Sequence, residues 1–140
     1  MRDTTIRNFI LISFLSIILS RLIPHPPNFT STIAVAFYIP ALFGIKYMII
    51  ALSAFIFSDL IIGTHELIIF TWGAILTISF LSKYFSKFPY RIFGISISCI
   101  VFYLISNFGV WLLSNMYSKN IAGLIDCYIM AIPFLQNALI

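Results

Sequence analysis

Long apolar runs, separated by short polar or proline-containing segments, follow one another along the whole chain. The runs are continuously apolar and do not alternate every second residue, which favours membrane helices over the strands of a membrane β-barrel. We therefore predict an all-α fold. Its helices should cover about residues 6–20, 31–43, 47–62, 67–82, 91–113 and 123–140.

Turn-forming residues mark the connections between these helices. The prolines of segment 24–27 exclude a helix there, because proline fixes φ and removes a backbone donor. Gly44 and Gly63 mark two further breaks. The polar segments 83–90 and 114–122 predict the remaining loops.

Two of the six helices are expected to be irregular. The second would be about 20 Å long at about 1.5 Å per residue, so it must tilt or lie in a thinned bilayer. The last is interrupted by Pro133 and carries Gln136 and Asn137. The first run resembles a secretory signal but lacks small residues at its end, so we interpret it as a retained helix.

The composition indicates a membrane protein. Hydrophobic residues make up 61% of the 140 residues and charged residues 9%, whereas soluble domains carry about 25% charged residues. Eight basic and four acidic side chains are too few to solvate the surface of a soluble domain. We therefore predict one transmembrane domain covering residues 1–140 with the lipid bilayer as its surroundings.

Basic residues are distributed unequally between the two sides of this six-helix arrangement. Positive residues favour the cytoplasmic side of a membrane. One side holds Arg2, Arg7, Lys46, Lys83, Lys87 and Arg91, and the other holds Arg21 and Lys119. This bias predicts a multi-pass protein of the inner (plasma) membrane with a cytoplasmic N-terminus.

Polar side chains gather at the predicted external ends of the helices. They are Arg21, His25, Asn28, Asp59, His65, Glu66, Asn107, Trp111, Asn115, Lys119 and Asp126. A carboxylate at the hydrocarbon boundary needs a partner, and Arg21 at the end of the first helix is the candidate for Asp59. Such a pair is either a structural ion pair or part of a ligand site, and the residues alone leave both open.

Tyr103, Asn107 and Trp111 are spaced four residues apart and so share one helix face. Two aromatic rings beside one amide are typical of a small-molecule pocket. The same residues would also serve as an interhelical hydrogen bond flanked by interfacial anchors. We favour the pocket, because other polar groups converge on the same side.

The sequence lacks the patterns typical of metal sites, phosphate-binding loops and nucleic-acid-binding surfaces. His25 and His65 are about forty residues apart without zinc-ligand spacing, and Cys99 and Cys127 lie in apolar runs. There is no glycine-rich phosphate loop and no patch of basic residues. We expect no metal, no cofactor, no nucleic-acid partner and no catalytic activity.

Segment 21–30 reads R-L-I-P-H-P-P-N-F-T, and segment 106–113 reads S-N-F-G-V-W-L-L. Together with Gly123-Leu124 and segment 131–134, they resemble an uncharacterised family of small bacterial inner-membrane proteins. That family resembles the substrate-binding S components of energy-coupling factor importers. The resemblance implies an S-component-like bundle that captures a vitamin-like or other small solute under a lid formed by the loop after the first helix.

The chain departs from those resemblances at two places. S components carry an Ala-x-x-x-Ala pair for docking to the energising module, where this chain has Ser16 and Ser20. Relatives continue beyond segment 134–137 with an arginine in place of Gln136, so we expect a truncated final helix. An energising transporter module remains the partner that the resemblance implies.

We predict a substrate-capture subunit for uptake of a small solute such as a vitamin or heterocycle. A structural or assembly subunit without solute binding is the alternative, and a membrane-embedded hydrolase ranks third. The predicted substrate-binding residues are Arg21, His25, Asn28, Asp59, His65, Glu66, Tyr103, Asn107, Trp111 and Asp126.

Overall fold

The structure, a computed structural model, describes residues 2–26, 28 and 30–139. These residues form α-helices and connections without a β-strand, which confirms the all-α prediction. The helices are α1 Arg2–Leu22, α2 Thr32–Phe43, α3 Met48–Ile62, α4 Ile68–Leu81, α5 Tyr90–Leu113, α6 Ile121–Met130 and α7 Ile132–Leu139. Short 3₁₀ turns, Ile45–Tyr47 and Ser82–Phe85, precede α3 and follow α4.

Four described helical segments are long and apolar enough to cross a membrane. They are Thr4–Leu22, Ile45–Ile62, Ile68–Phe85 and Tyr90–Leu113. The pair α6 and α7, bent by 41°, makes a fifth if it counts as one span. The bend falls just before Pro133, which occupies the first turn of α7, where a missing N–H removes no helical hydrogen bond.

Helix α2 is the central helix of the bundle. It has 12 residues and is about 18 Å long, which is less than the ~30 Å of a bilayer core. It packs against α1, α3, α4 and α5, and its Ala36 and Phe37 are fully buried. Neighbouring helices therefore cover this short element.

Small residues allow close packing around α2. Ala51, Ala54 and Ala74 are fully buried on α3 and α4. At Gly94 of α5, an added Cβ would lie 2.5 Å from the ring of Phe37. Small side chains let membrane helices approach each other in this way, because lipid supplies no strong hydrophobic drive for association.

Large apolar side chains occupy much of the outer surface. Ile12 is 66% exposed, Leu60 is 69% exposed and Ile69 is 80% exposed. A soluble protein rarely presents so much apolar surface, whereas a lipid-facing bundle does. Together with the apolar helices, this surface indicates a membrane protein.

Consecutive long helices run in opposite directions along the bundle. As a result, α1, α3 and α5 end where α2, α4 and α6 begin. We call this the site end, because the described lining residues of the cavity below, apart from Phe134 on α7, lie on elements that begin or end there.

Candidate functional site

A cavity of about 410 Å³, here called the end cavity, opens at the site end. Its volume falls within the range of about 300–1,000 Å³ typical of small-molecule sites. Polar and apolar side chains from six helices and two connections line it. The described lining residues are Arg21, His25, Asn28, Thr30, Thr32, Ile33, Phe55, Ile62, His65, Leu67, Thr71, Phe102, Ser106, Asn107, Val110 and Phe134.

An ion pair joins α1 to α3 at the wall of this cavity. Nη2 of Arg21 lies 2.6 Å from Oδ1 of Asp59. The Asp59 side chain is 1% exposed and that of Arg21 is 14% exposed. The pair expected from the sequence is therefore present, and each charge compensates a partner that would be costly to bury alone.

The second carboxylate oxygen of Asp59 binds α4. Nε1 of Trp72 donates a hydrogen bond of 2.7 Å to Oδ2. Oδ1 accepts no hydrogen bond from the described residues. Its contact with Arg21 is therefore an ion pair without hydrogen-bond geometry, held by the attraction between the two charges. Asp59 thus connects α3 to both α1 and α4.

Further contacts hold the Arg21 guanidinium in place. Nη1 donates to the carbonyl oxygen of Phe55 at 3.1 Å and to Oγ of Ser58 at 2.5 Å. The guanidinium carbon lies 3.8 Å from the centre of the Phe55 ring, which adds a cation–π contact. These contacts fix both the position and the charge balance of Arg21.

The Nδ1 atoms of the two lining histidines have opposite hydrogen-bonding roles: that of His25 donates and that of His65 accepts. Nδ1 of His25 lies 2.7 Å from the carbonyl oxygen of Pro26, so Nδ1 carries the proton and donates it. Nδ1 of His65 accepts the N–H of Leu67 at 3.2 Å, so the proton of the neutral ring is on Nε2. That Nε2 lies 4.0 Å from Oδ1 of Asp59.

The connection between α1 and α2 supplies three polar lining residues, His25, Asn28 and Thr30. Asn28 has a φ of 63°, a left-handed conformation that asparagine tolerates better than most residues. Its carbonyl oxygen accepts the N–H of Thr30 at 3.1 Å. This local turn brings the connection back over the start of α2.

Asn107 is the buried amide of the end cavity. The residue is 8% exposed, and Nδ2 donates to the carbonyl oxygen of Tyr103 at 2.8 Å. Its position is about 9 Å from the end of α5, at about 1.5 Å per residue. The predicted polar residue on this helix therefore faces the cavity.

The two aromatic residues on either side of Asn107 lie outside the described lining. The Tyr103 hydroxyl donates to the carbonyl oxygen of Tyr128 at 2.5 Å, and the two rings are 5.6 Å apart. Nε1 of Trp111 donates to the carbonyl oxygen of Ser118 at 2.9 Å. In the structure they connect α5 to α6 and to the loop between them, so their contact with a solute stays a prediction.

The two remaining acidic residues of the predicted site are exposed. Glu66 lies in the α3–α4 turn and Asp126 on α6, and neither is among the described lining residues. Of the predicted site residues, the structure brings Arg21, His25, Asn28, His65 and Asn107 together around the end cavity. Asp59 lies directly behind Arg21.

Sequence reasoning missed the partner of Asp59 on α4 and part of the wall. The additional residues are Trp72, Thr32, Phe55, Thr71, Phe102 and Ser106. A usable signal existed for Trp72: it follows the turn of the α3–α4 hairpin by about as many residues as Asp59 precedes it. Two such positions lie at the same depth in an antiparallel hairpin.

A second cavity, also of about 410 Å³, lies beside the end cavity and shares Asn28, Thr30 and Ile33 with it. Its described lining, which carries no charged residue, includes Ser20, Cys99 and Ala138. Nowhere in the described part of the chain, the two cavities included, is a group of three His, Cys, Asp or Glu side chains close enough to hold a metal ion.

Comparison with known proteins places the chain in a family but assigns it no activity. A search of curated proteins and a search of solved structures each found no significant match. One family model, described as "Family of unknown function (DUF6580)", matches residues 2–140. Since this match spans almost the whole chain, the protein belongs to the DUF6580 family.

Proposed function

We propose that this protein captures a small solute in the end cavity and presents it for uptake across the inner membrane. One observation carries the proposal: a 410 Å³ cavity at one end of an apolar bundle is lined by a buried amide, a fixed guanidinium and aromatic rings. Sites that bind and orient small molecules combine apolar and aromatic walls with convergent polar groups, and this cavity has both.

The proposal includes a membrane arrangement. Six apolar segments, with α6 and α7 counted as one, cross the bilayer in an S-component-like bundle with a cytoplasmic N-terminus. Two features support it: neighbouring helices cover the short α2, and the helix ends and connections on the side opposite the end cavity carry six of the eight basic residues. In this arrangement the end cavity faces outward.

The proposed role is binding and not catalysis. Capture alone moves no solute against a gradient, so import requires an energising transporter module as partner. The S-component resemblance supports such a partner, and Ser16 and Ser20 stand where its docking pair would be.

A thermal-shift screen in detergent tests solute capture. Purified protein is mixed with vitamins, nucleobases and related heterocycles, and a true ligand raises the melting temperature, because it binds the folded state. The same compound should leave the melting temperature of Asn107→Leu unchanged, while the exposed control Tyr84→Phe should respond like the wild type. A screen in which no solute stabilises the wild type contradicts the proposal.

Cysteine labelling tests the arrangement in the membrane. Single cysteines at Thr64 and Ser118, in a background with Cys99 and Cys127 replaced by serine, should react with an impermeant maleimide added outside spheroplasts. A cysteine at Lys46 should react only after the cells are opened. The reverse pattern would place the end cavity on the cytoplasmic side and exclude uptake from outside.

A structural or assembly role is the second candidate, and the aromatic residues of α5 favour it. Tyr103 and Trp111 both bond backbone carbonyl groups of the following segment, as helix-anchoring residues do. This alternative predicts that variants of Asn107 and Asp59 lose stability while no solute raises the melting temperature. The same thermal-shift screen therefore separates the two functions.

A further inference from the structure

The charges around the end cavity are already compensated. Arg21 is the one Lys or Arg among the described lining residues, and Asp59 balances it from behind at 2.6 Å. No described Asp or Glu lines the cavity. An anionic solute would have to compete with Asp59, and a cationic solute would find no carboxylate in the wall. An uncharged solute meets neither cost.

Asn107, which lines the cavity, retains hydrogen-bonding capacity. Its amide has two N–H donors and one acceptor oxygen, and the Tyr103 carbonyl uses one donor. Oδ1 accepts no hydrogen bond from the described residues. This Oδ1 is also not fully buried. Among the described side chains, the fully buried oxygen or nitrogen atom without a hydrogen bond is Oδ1 of Asp59 and not that of Asn107. An acceptor and a donor of a residue that is 8% exposed therefore remain for a solute.

Arg21 and His25 add to this pattern. Nη1 of Arg21 donates to Phe55 and Ser58 and Nη2 forms the ion pair with Asp59, while Nε has no hydrogen-bond partner among the described residues. His25 donates through Nδ1, so Nε2 is an acceptor when the ring is neutral. The wall thus offers both donors and acceptors without a net charge.

Flat apolar surfaces complete the cavity. Phe55 and Phe102 line it and are 5% and 9% exposed, so their rings are held by packing. The guanidinium of Arg21, stacked on Phe55, extends one of these surfaces. Aromatic rings of this kind favour planar ligands, which stack with offset or edge contacts.

We infer that the solute is an uncharged, planar ring compound with an N–H donor beside a carbonyl acceptor, as in a lactam or cyclic imide. Its N–H donates to Oδ1 of Asn107, and its carbonyl accepts an N–H of Asn107 or Arg21. This inference rests on the proposed function and narrows it to one class of solute.

Three two-ring probes of similar size test the inference by calorimetric titration of protein in nanodiscs. Quinazoline-2,4-dione carries the N–H and carbonyl pattern, its 1,3-dimethyl derivative lacks the N–H groups, and naphthalene-2-carboxylate is anionic. The dione should bind. The dimethyl derivative and the carboxylate should each bind at least ~10-fold more weakly, because each leaves a buried group unpaired or adds an uncompensated charge.

Two variants assign these effects to residues. Asn107→Leu should weaken binding of the dione to the level of its dimethyl derivative. Asp59→Asn leaves the charge of Arg21 uncompensated, so naphthalene-2-carboxylate should bind at least ~10-fold more tightly than to wild type. Tyr84→Phe, at an exposed side chain outside the described lining, is the control and should change neither affinity. If Asp59→Asn fails to fold, the affinity of Asn107→Leu for the dione still tests the inference.

Two results would overturn the inference and leave solute capture standing. The first is tighter binding of the carboxylate than of the dione, or equal binding of the dione and its dimethyl derivative. The second is no binding of any of the three probes while another compound stabilises the protein in the thermal-shift screen. Failure of the proposed function itself has a different result, since no compound of that screen would then stabilise the wild type.

Discussion

The α3–α4 hairpin and the α5–α6 hairpin both carry aromatic hydrogen-bond donors near the site end. The acceptors that these donors bind differ between the two hairpins. In the first, Trp72 and Asp59 bond side chain to side chain, and Arg21 on α1 completes the group. In the second, Tyr103 and Trp111 donate to backbone carbonyl groups of the segment that follows α5. One hairpin needs a third helix, whereas the other satisfies its polar groups locally.

This difference separates two roles for polar groups in a membrane bundle. A buried carboxylate cannot be satisfied by carbonyl oxygens, so it requires donors or cations from other elements. Aromatic N–H and O–H groups can bond the nearest carbonyl and close a loop. The Nζ of Lys119 does the same with the carbonyl oxygens of Trp111 and Ser114. The polar group of the first hairpin therefore joins three helices at the cavity wall, whereas the aromatic donors of the second close the α5–α6 connection.

The largest expected effect is that of Asp59→Leu. It leaves the guanidinium of Arg21 without its counter-charge, and breaking such a pair costs about 3–5 kcal/mol. Unfolding in detergent micelles, followed by circular dichroism, should show this loss. The control Glu66→Leu removes an exposed carboxylate from the same hairpin and should change stability by less than ~0.5 kcal/mol. Equal losses in the two variants would contradict the role of Asp59.

The next effect concerns the aromatic donors of the two hairpins. Trp72→Phe removes the donor to the carboxylate of Asp59 and should cost about 1.5–3 kcal/mol, since hydrogen bonds to charged groups are strong. Trp111→Phe removes a bond to a neutral carbonyl oxygen and should cost about 0.5–1.5 kcal/mol. The same unfolding measurement compares them, and a larger loss for Trp111→Phe would reverse the distinction between the hairpins.

A close backbone contact in the α5–α6 connection gives a third prediction. A Cβ on Gly123 would lie 2.1 Å from the carbonyl oxygen of Ser118, so Gly123→Ala should cost about 1–3 kcal/mol. Gly73→Ala, on α4, is the control, because nothing lies within 4 Å of its added Cβ and alanine is the better helix former. If thermal melting shows Gly123→Ala to be as stable as wild type, the loop does not need this approach.

The last effect, equal in size to that of Trp111→Phe, is expected at Tyr103. Tyr103→Phe loses the bond to the Tyr128 carbonyl and should cost about 0.5–1.5 kcal/mol, compared with no measurable loss for the exposed Tyr84→Phe. Its ring lies outside the described cavity lining, so Tyr103→Leu should leave the affinity for a solute found in the screen unchanged. Weaker binding by Tyr103→Leu would instead support the stacking role that the sequence spacing predicts.

Most of the fold could be predicted, because its main signals are local in the sequence. Apolar runs and breaks at Gly44, Gly63 and segment 24–27 predict helix ends to within a few residues, except at the N-terminus, where α1 extends four residues beyond the predicted start. The last run proved to be two helices, since Pro133 does not continue α6 but fits the first turn of α7. A proline marks a break without defining the angle, which depends on packing.

The sequence predicted how far along the helices the polar residues of the site lie, but not which neighbouring helix or cavity each side chain contacts. Arg21 and Asp59 are the opposite charges at one membrane depth, and they pair as expected. The four-residue spacing of Tyr103, Asn107 and Trp111 places them on one helix face without saying which neighbour each meets. Contacts with α6 and its loop draw the aromatic side chains away from the cavity and leave Asn107 in its wall.

Equilibrium binding of the most stabilising solute to protein in nanodiscs tests solute capture most directly. We predict saturable binding of one molecule per wild-type chain, at least ~10-fold weaker binding to Asn107→Leu, and wild-type affinity for Tyr84→Phe. Equal affinity of wild type and Asn107→Leu, or no saturable binding to the wild type, would contradict the assignment of a solute site to the end cavity.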